Sequence, residues 1–487
     1  MLRDRRQPQS AHHLSAGSDG AARQDHGRDV SDGLSHAILA ELGRARRSDD
    51  SLAITGSDDP ILITPWRVGH AGAAALGAVG LAVSDLWRLK TGRSQAVAID
   101  RAAATASLRS NTYVLQNGQK PVSWDALAGH YPTRDGRVMF LHTNHPHHRA
   151  GALRIAGAAA ETREALAATV ARWDGLAIER AIADGGCVGG LVRSRDEWNA
   201  HPHGRAVAEL PLIDIVRIGE APPCDLPPGP RPLSGVRALD LTRVLAGPTS
   251  GRVLAENGAD VLHVAAPHLP YQTEILMDTG HGKRCAWVDL TRPSGVETMA
   301  ALLKDADIFT QGYRPGAVAA RGFSPERVAA LRPGIVCVDI CAYGHAGPWA
   351  DRRGFDSIVQ NVTGLSTVQG SLDKPRNLPV QALDYIAGYL GALGAMVGLA
   401  RRVEQGGSWL VRVSLVQVAH WLADLGTVEA SKGLAELPES DLARWLMESD
   451  GPFGHLRHLK PVVQLSETPP RFAKPPEPLG TSPARWA

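Results

Sequence analysis

The sequence predicts an α/β protein, in which a parallel sheet covered by helices on both faces is joined to a smaller α+β domain. Through the second half of the chain, apolar runs typical of buried strands alternate with amphipathic helical segments, as in parallel sheets covered by helices. A Pro-rich stretch at residues 220–234 precedes that half and excludes both helix and central strand. The patterns before this stretch are mixed, which is typical of an α+β arrangement.

The chain before the Pro-rich linker divides into two parts. Residues 1–52 are polar, charged and aperiodic, so we predict a mobile N-terminal tail. Residues 53–219 form the first folded unit, which opens with an Ala- and Gly-rich helical segment at 66–89. The sequence YPTRDGRVMFLHT (131–143) predicts a hairpin, because its Asp135-Gly136 pair is a favoured turn. This unit is predicted to include the smaller α+β domain.

Residues 235–430 carry the regular alternation and predict a Rossmann-like parallel-sheet domain. The predicted helices include GPTSGRVLAENG (247–258) and SGVETMAALLKDA (294–306). The predicted strands include VRALDLT (236–242), DVLHVA (260–265), CAWVDL (285–290), DIFTQG (307–312) and IVCVDIC (335–341). No Gly-x-Gly-x-x-Gly follows the first strand and no Walker motif occurs, so a dinucleotide site has no support. Residues 431–487 are interpreted as a C-terminal tail.

Composition limits the classes of function. Hydrophobic residues make up 44% of the chain, enough for a large core, and the net charge of +2 provides no strong field for nucleic acid or an anionic membrane. The five cysteines form no C-x-x-C pair, which is typical of a reduced cytoplasmic protein. The charged N-terminus is no signal peptide, and the apolar stretch at 71–83 is too short to span a bilayer. We therefore expect a cytoplasmic protein without nucleic-acid or membrane partners.

A histidine-rich loop, LHTNHPHHRAG (141–151), could suggest a metal site. It contains His142, His145, His147 and His148, but Pro146 interrupts helical spacing and no cysteine or acid completes a ligand set. We therefore predict no metal here, and the role of the loop stays open. The sequence also lacks a Gly-x-Ser-x-Gly motif, so serine-hydrolase chemistry has no support.

Two segments of the chain repeat one another. Residues 71–100 and 387–414 both read as a small-residue helix, a Gly turn and a strand. Asp384 lies just ahead of the second helix, where a helix N-terminus stabilises negative charge. It could act as a nucleophile or simply cap the helix. The matching position of the first repeat holds Arg67 or Val68, so we expect one such carboxylate per chain.

Residues 235–422 resemble the family III CoA-transferases, the group that contains the carnitine and formyl-CoA enzymes. Six motifs occur in the family's order: GVRALDLTRVLAGP, NGADVLHV, GKRCAWVDLTRPSG, YRPGAVAARGF, AYGHAGPWADRRGFDSIVQNVTGL and LPVQALDYIAGYLGALGA. The first unit resembles the family's small domain, which ordinarily follows the larger domain. We therefore interpret the chain as rearranged, with a first unit truncated at its front and a second unit that lacks its small domain.

The resemblance implies a CoA-transferase that moves CoA from an acyl-CoA to a free carboxylic acid. It implies Asp384 as the catalytic nucleophile, acting through an aspartyl anhydride and an aspartyl-CoA thioester. Coenzyme A then enters as acyl-CoA substrate and no tightly bound cofactor is implied. The partners implied are an acyl-CoA, a carboxylic acid and a second copy of the chain in a homodimer. The sequence identifies neither acid.

The resemblance also carries over a set of CoA-binding residues, two of which, Arg314 and Arg321, are suited to meet CoA phosphates. The set is Leu245, Ala246, Gly247, Asp289, Leu290, Thr291, Arg314, Arg321, Tyr343 and Gly344. The chain departs from the family at Ala265 and Ala266, where a charged residue is usual, which puts one adenine or ribose contact in doubt.

Two alternatives remain at this stage. A 2-methylacyl-CoA racemase or isomerase needs two acid/base groups around the α carbon. In racemases of this family a His precedes the Asp of a Gly-His-Asp motif, whereas Phe355 stands in that place and cannot transfer protons. A non-catalytic CoA-binding protein would be consistent with the rearranged order, but the presence of Asp384 argues against it.

Overall fold

The computed structural model describes residues 29–121 and 124–487. The helices are α1 Val30–Glu41, α2 Val68–Thr91, α3 Arg101–Ser107, α4 Pro146–Ala156, α5 Arg163–Val170, α6 Gly175–Asp184, α7 Arg195–Ala200, α8 Pro202–Val207, α9 Ala246–Glu256, α10 Thr273–Thr279, α11 Pro293–Lys304, α12 Pro325–Leu331, α13 Asp356–Val362, α14 Leu365–Gln369, α15 Ala382–Gln405, α16 Leu415–Asp424 and α17 Glu439–Trp445. The strands are β1 Leu52–Thr55, β2 Val97–Asp100, β3 Leu115–Gln116, β4 Gly129–Pro132, β5 Val138–Leu141, β6 Gly189–Leu191, β7 Asp214–Gly219, β8 Arg237–Leu241, β9 Asp260–Ala265, β10 Lys283–Trp287, β11 Ile308–Gln311, β12 Val336–Cys341, β13 Ser408–Ser414, β14 Leu446–Gly451, β15 Gly454–Leu459 and β16 Gln464–Leu465.

A seven-stranded sheet forms the centre of the larger domain. Its strand order is β10-β9-β8-β11-β12-β13-β7, and every neighbouring pair is parallel except β13 and β7. The predicted α/β class with a parallel sheet is confirmed. The antiparallel edge strand β7 comes from the first unit, so that unit completes the sheet of the second.

The core of the molecule is organised around α15. This helix packs against the sheet strands β12 and β13, against α9 and against α2. A helix that is apolar on all sides must be buried on all sides. By length and composition alone α2 and α15 could each cross a membrane, but 94% and 100% of their most apolar windows are buried within the protein. Both are therefore core helices in this structure.

The two repeats have the same local structure but different sheet environments. The helices α2 and α15 both have 24 residues and pack against each other. Each is followed by a glycine with positive φ, Gly92 or Gly406, and then by a strand. β13 lies in the large sheet, whereas β2 lies in a three-stranded sheet of order β1-β2-β16. The sequence repeat thus corresponds to a structural repeat.

Close approach of α15 to α9 depends on Gly388. A Cβ at this position would lie 2.5 Å from the carbonyl oxygen of Ala246. This oxygen belongs to the backbone of α9, so it cannot move aside as a flexible side chain could. We expect Gly388→Ala to lower the free energy of unfolding by about 1–3 kcal/mol through overpacking. Gly33→Ala in α1 is the matched control, because nothing lies within 4 Å of the added Cβ. It should raise stability by about 0.5–1 kcal/mol. Urea unfolding measures the stability of both variants. Equal changes in the free energy of unfolding for Gly388→Ala and Gly33→Ala would contradict the prediction.

The N-terminal prediction is wrong where the structure describes this part. Residues 1–28 lie outside the described residues, but Val30–Glu41 form α1 rather than a mobile tail. Ser35 Oγ donates to the carbonyl of Ala74 in α2 at 3.0 Å, and Ile38 and Leu39 are buried. The buried face is half serine and aspartate, so hydrophobic periodicity does not detect it.

The C-terminal segment returns to the first unit. The β14–β15 hairpin pairs with β3, and β16 pairs with β2. Near the end of the chain, Trp486 Nε1 donates to the carbonyl of Leu302 at 3.0 Å. Residues 431–487 therefore contact both units, the first by strand pairing and the second through the Trp486 hydrogen bond.

The smaller domain contains the predicted hairpin. β4 and β5 are antiparallel and β6 extends them to a three-stranded sheet. Gly136 has a φ of +77°, which a glycine adopts without strain. Residues 220–234 form no helix or strand, as their prolines require.

Candidate active site

A cavity of about 450 Å³ opens at the carboxyl ends of β8, β11 and β12, where the N-terminus of α15 meets the sheet. Such a position is the expected ligand site of a parallel sheet. We call it the main cavity. Its charged, histidine, tyrosine and glycine lining residues are His145, His147, His148, Arg243, Gly247, Gly312, Tyr313, Arg314, Arg352, Arg353, Gly354 and Asp384. The histidines belong to the first unit and Asp384 to the second, so both halves of the chain build it.

Asp384 is the third residue of α15 and 7% exposed. It therefore lies inside the first turn, not ahead of the helix as the sequence suggested. Among the described residues, no hydrogen bond is made by its carboxylate. The carboxylate is thus held by its backbone at the cavity wall and is free to react.

Asp356, the first residue of α13, caps α15. Its Oδ2 accepts from the backbone N–H groups of Leu383 at 2.8 Å and Asp384 at 3.0 Å. Its Oδ1 accepts from the side-chain amide of Gln360. The cap proposed for Asp384 is therefore supplied from another helix. This division leaves Asp384 available for chemistry.

The two carboxyl groups are electrostatically linked. Burial, opposed by its backbone and Gln360 hydrogen bonds, raises the pKa of Asp356 to about 6. Burial and the neighbouring Asp356 carboxylate raise the pKa of Asp384 well above its ordinary value. Removing a charge from water and placing it beside a like charge both favour the neutral acid. The ionised fraction of Asp384 therefore grows as pH rises.

Positive charge dominates the rest of the main cavity. Within the part of the chain that the structure describes, Asp384 is its only acidic lining residue. Arg243, Arg314 and Arg353 make no ion pair there, whereas Arg352 lies 3.7 Å from a carboxylate oxygen of Glu179. Unpaired guanidinium groups favour a carboxylate or phosphate ligand. The cavity is therefore suited to an anionic molecule.

The histidine-rich loop packs on Phe355 beside Asp384. The ring of His142 stacks on Phe355 with centroids 4.2 Å apart, and His145 lies 5.5 Å from the same ring. Burial is the main cause that lowers the pKa values of His142, His145 and His148 to about 3, 4 and 3. Neighbouring histidines lower all three further, and nearby arginines also lower those of His145 and His148. All three are neutral near pH 7. No group of three His, Cys, Asp or Glu side chains among the described residues is placed to hold a metal ion.

The predicted CoA-binding residues fall mainly in two adjacent cavities. Leu245, Ala246, Gly247 and Arg314 line the main cavity. A second space of about 230 Å³, which we call the side cavity, is lined by Asp289, Leu290, Thr291 and Arg321. The two cavities share the wall residues Leu269, Tyr313 and Ala317. Eight of the ten predicted contacts therefore lie where one long ligand could reach them.

The turn between β8 and α9 is tightly constrained. Val244 has a φ of +66°, a left-handed conformation that is strained for a β-branched residue. A Cβ on Gly247 would lie 2.3 Å from the Cβ of Thr242. The first turn of α9 is thus held against the strand end, which brings its backbone to the main cavity.

Tyr343 and Gly344 line neither the main cavity nor the side cavity. Tyr343 is 1% exposed and packs edge-on against His203 and Trp349, with ring centroids 5.8 Å and 5.4 Å away. Gly344 lines a neighbouring space of about 50 Å³, which shares the wall residues Tyr313, Pro315 and Cys341 with the main cavity. The predicted CoA contact of Tyr343 is corrected to a packing role, because its side chain fills the join between the small domain and the sheet.

Sequence reasoning missed Asp356, Arg243, Arg353 and the histidine-rich loop as parts of the site. Arg353 and Asp356 flank Gly354-Phe355 in the sequence. The sequence analysis used this motif only to argue against a racemase, from Phe355. Arg243 follows the first strand of the larger domain directly. For the loop no sequence signal existed, since it reaches the cavity only through domain packing.

The fold and the main cavity define an α/β protein that can hold a long anionic ligand at the carboxyl edge of its sheet, next to one buried carboxylate. Comparison with known proteins shows which family the second unit is similar to. Residues 233–442, the part of the chain that carries Asp384, match the model of CoA-transferase family III. The resemblance noted in the sequence is confirmed.

Three relatives illustrate the similarity. The chain is 31% identical over 326 residues to the acetyl-coenzyme A transferase nodX of Hypoxylon pulicicidum, covering 61% of this chain and 55% of the relative. It is 30% identical over 237 residues to succinyl-CoA–D-citramalate CoA-transferase of Chloroflexus aurantiacus, covering 46% and 56%. It is 31% identical to the crystal structure of Rv3272 from Mycobacterium tuberculosis, with a TM-score of 0.38, covering 40% and 59%. The chain spans about half the length of the curated relatives it matches.

Proposed function

We propose that the protein is a CoA-transferase that moves CoA from an acyl-CoA to a free carboxylic acid, with Asp384 as its nucleophile. The observation that carries the proposal is the Asp384 carboxylate, which is buried, free of hydrogen bonds among the described residues and lines the same cavity as Arg243, Arg314 and Arg353. The match of residues 233–442 to the model of CoA-transferase family III supports it.

The chemistry proceeds by four acyl transfers. The Asp384 carboxylate attacks the thioester carbonyl and the C–S bond breaks. CoA thiolate is released, and a mixed anhydride of the acyl group and Asp384 is formed. The thiolate then attacks the aspartyl carbonyl, which releases the first acid and forms an aspartyl-CoA thioester. The acceptor carboxylate attacks this thioester to give a second anhydride and free thiolate. Attack of the thiolate on the acceptor carbonyl forms the new acyl-CoA and restores Asp384. Covalent intermediates divide one difficult exchange into easier steps.

The surroundings of Asp384 assist these steps. Arg243 and Arg353 offer positive charge to the oxyanions and carboxylates that form and leave. The N-terminal turn of α15 adds a partial positive charge at the same place. The pantetheine arm would occupy the main cavity, and the CoA phosphates would lie toward Arg314 and Arg321 along the side cavity.

The test is incubation with acetyl-CoA and succinyl-CoA as donors and a panel of free acids, with new CoA esters followed by mass spectrometry. Hydroxylamine trapping and peptide mapping locate any covalent intermediate. New thioesters with an adduct at Asp384 support the transferase. Loss of chirality at C2 of a 2-methylacyl-CoA without exchange would establish the racemase instead. CoA binding without either activity would establish a non-catalytic CoA-binding protein.

We expect Arg321→Gln to raise the KM for acyl-CoA by about 3- to 10-fold with kcat nearly unchanged, because an exposed charge contributes at most a modest binding energy. The increase should shrink at high salt, which screens exposed charges. Initial rates at two ionic strengths check this. Arg327→Gln is the matched control, since Arg327 is equally exposed on α12 but lines neither cavity. Equal KM changes in both variants would contradict the assigned phosphate contact.

We also propose that the protein is cytoplasmic and forms a homodimer. The near-neutral charge and the cysteine pattern support the first proposal, and the family resemblance supports the second. Size-exclusion chromatography with light scattering tests the assembly, and a stable monomer would overturn it. A monomer would leave the proposed site intact, because the described residues build the main cavity from a single chain.

A further inference from the structure

The two units share a second pair of matching helices, α1 and α9. The sequence ILAELG (38–43) covers the end of α1, and VLAENG (253–258) covers the end of α9. Each helix packs on the long helix of its own unit, α1 on α2 and α9 on α15. The two segments are 215 positions apart (253 minus 38), so Ser35 in α1 is the counterpart of Ser250 in α9.

The long helices match in their first turns as well. Asp59 accepts from the backbone N–H groups of the second and third residues of α2, at 3.1 Å and 2.8 Å. The second and third residues of α15 are capped in the same way from α13. His70, rather than Arg67 or Val68, is therefore the counterpart of Asp384. The α1–α2 pair is thus a second example, within the same chain, of the α9–α15 packing.

One hydrogen bond distinguishes the two helix pairs. Ser35 Oγ donates to the carbonyl oxygen of Ala74 in α2 at 3.0 Å. Its counterpart Ser250 is fully buried, but its Oγ has no partner among the residues that the structure describes. A Cβ built on the facing glycine would lie 2.4 Å from Ser35 Oγ at Gly77 and 3.3 Å from Ser250 Oγ at Gly391. The α9 hydroxyl is therefore 0.9 Å farther (3.3 minus 2.4) from its long helix than the α1 hydroxyl.

The start of α9 is a place where a ligand can change this packing. Leu245 and Gly247 line the main cavity, and Val244 just before them has the left-handed φ of +66°. Backbone strain of this kind is found at ligand clamps and switch regions. A buried hydroxyl without a partner costs free energy and needs a physical explanation. A bond that forms only when a ligand contacts the α9 turn supplies one.

We propose that Ser250 is a positioning residue that acts when CoA binds. In the bound state its hydroxyl would donate to the carbonyl oxygen of Gly388, which matches the Ala74 carbonyl of α2, and would fix the first turns of α9 and α15 together. Asp384 lies one turn before Gly388 on α15, so this bond would hold the carboxylate in place beside the thioester. The inference rests on the proposed function, which places the pantetheine arm of CoA in the main cavity.

The first experiment measures stability without a ligand. Ser35→Ala removes a hydrogen bond that exists, so its Tm should fall by about 1–3 °C. Ser250→Ala removes only a hydroxyl without a partner, so its Tm should equal that of the wild type or rise. Ser35 is the matched control, because it is the same residue type at the counterpart position. An equal fall of Tm in both variants would show that the Ser250 bond exists without CoA and would overturn the proposal.

Calorimetric titration with CoA then measures the bond in the bound state. Ser250→Ala should bind CoA about 3- to 10-fold more weakly than the wild type, as for one lost hydrogen bond, whereas Ser35→Ala should bind it with wild-type affinity. Ser250→Cys keeps the size of the side chain but donates only weakly, so it should bind CoA almost as weakly as Ser250→Ala. Wild-type affinity in folded Ser250→Ala protein would overturn the proposal.

Turnover separates this inference from the proposed function. CoA transfer with equal KM values for acyl-CoA in Ser250→Ala and the wild type would leave the CoA-transferase intact and overturn the role of Ser250. Weaker CoA binding by Ser250→Ala, without any new thioester from the wild type, would support that role and overturn CoA transfer. Absence of CoA binding by the wild type would overturn both. We expect KM for acyl-CoA to rise about 3- to 10-fold in Ser250→Ala and to change little in Ser35→Ala.

Discussion

Asp384→Asn is expected to lower the rate of CoA transfer by about 10³-fold or more, as when the nucleophile of a covalent mechanism is removed. The amide has nearly the shape of the carboxylate but cannot form the anhydride. The measurement is initial rate by mass spectrometry, with hydroxylamine trapping of the aspartyl intermediate. No adduct should appear at position 384.

The same variant should be more stable than the wild type. Asp384 is buried beside Asp356, and its carboxylate accepts no hydrogen bond from the described residues, so the charge costs free energy of folding. Removing the charge should raise the free energy of unfolding by about 1 kcal/mol. Asp225→Asn in the exposed linker is the matched control and should change neither rate nor stability. Transfer within tenfold of wild type in Asp384→Asn would remove this residue from the mechanism.

Asp356→Ala is expected to lower the free energy of unfolding by about 2–4 kcal/mol, because several buried donors lose one acceptor together. These are the backbone N–H groups of Leu383 and Asp384 and the side-chain amide of Gln360. The first turn of α15 should loosen, and kcat should fall with it. Urea unfolding and initial rates measure both effects. Asp356→Asn keeps one acceptor oxygen and should lose less stability than the alanine variant, so equal losses would argue against the capping role.

This pair also gives the protein a defined pH dependence of stability. The folded pKa of Asp356 is raised from 3.8 to about 6, so the folded state binds a proton more tightly than the unfolded state. Its contribution to stability is therefore present below about pH 4 and is lost as pH rises toward 6. Urea unfolding between pH 4 and 7 should show this loss in the wild type and a flatter profile in Asp356→Asn.

The rate of transfer should depend on pH in the opposite sense. Burial and the Asp356 carboxylate raise the pKa of Asp384, and only the ionised carboxylate attacks. The rate should therefore fall as pH falls through this raised pKa. In Asp356→Asn the neighbouring negative charge is gone, so the acid limb of the kcat profile should move to lower pH. If the acid limb of the kcat profile stays at the same pH in Asp356→Asn, a group other than this carboxyl pair controls the pH dependence of the rate.

The sequence alone was sufficient for the features that depend on local pattern. Apolar runs and amphipathic segments predict the parallel strands and α9 and α11, because side-chain periodicity follows directly from strand and helix geometry. The Asp135-Gly136 turn follows from the conformations those residues tolerate. The motifs also led to Asp384 and to eight residues that line the two cavities, since contiguous loops at strand ends stay together in any copy of the fold.

Tertiary structure alone decided how distant segments meet. The buried Ser35 face of α1 carries no hydrophobic signal, because its packing depends on a small-residue surface on α2. Asp356 lies 28 residues before Asp384, and only helix packing shows that it caps α15. Tyr343 looks like a ligand residue in sequence but is enclosed by His203 and Trp349. The histidine-rich loop becomes part of the site because the small domain packs against the sheet. Such long-range contacts depend on the burial of whole surfaces, and no local sequence pattern encodes them.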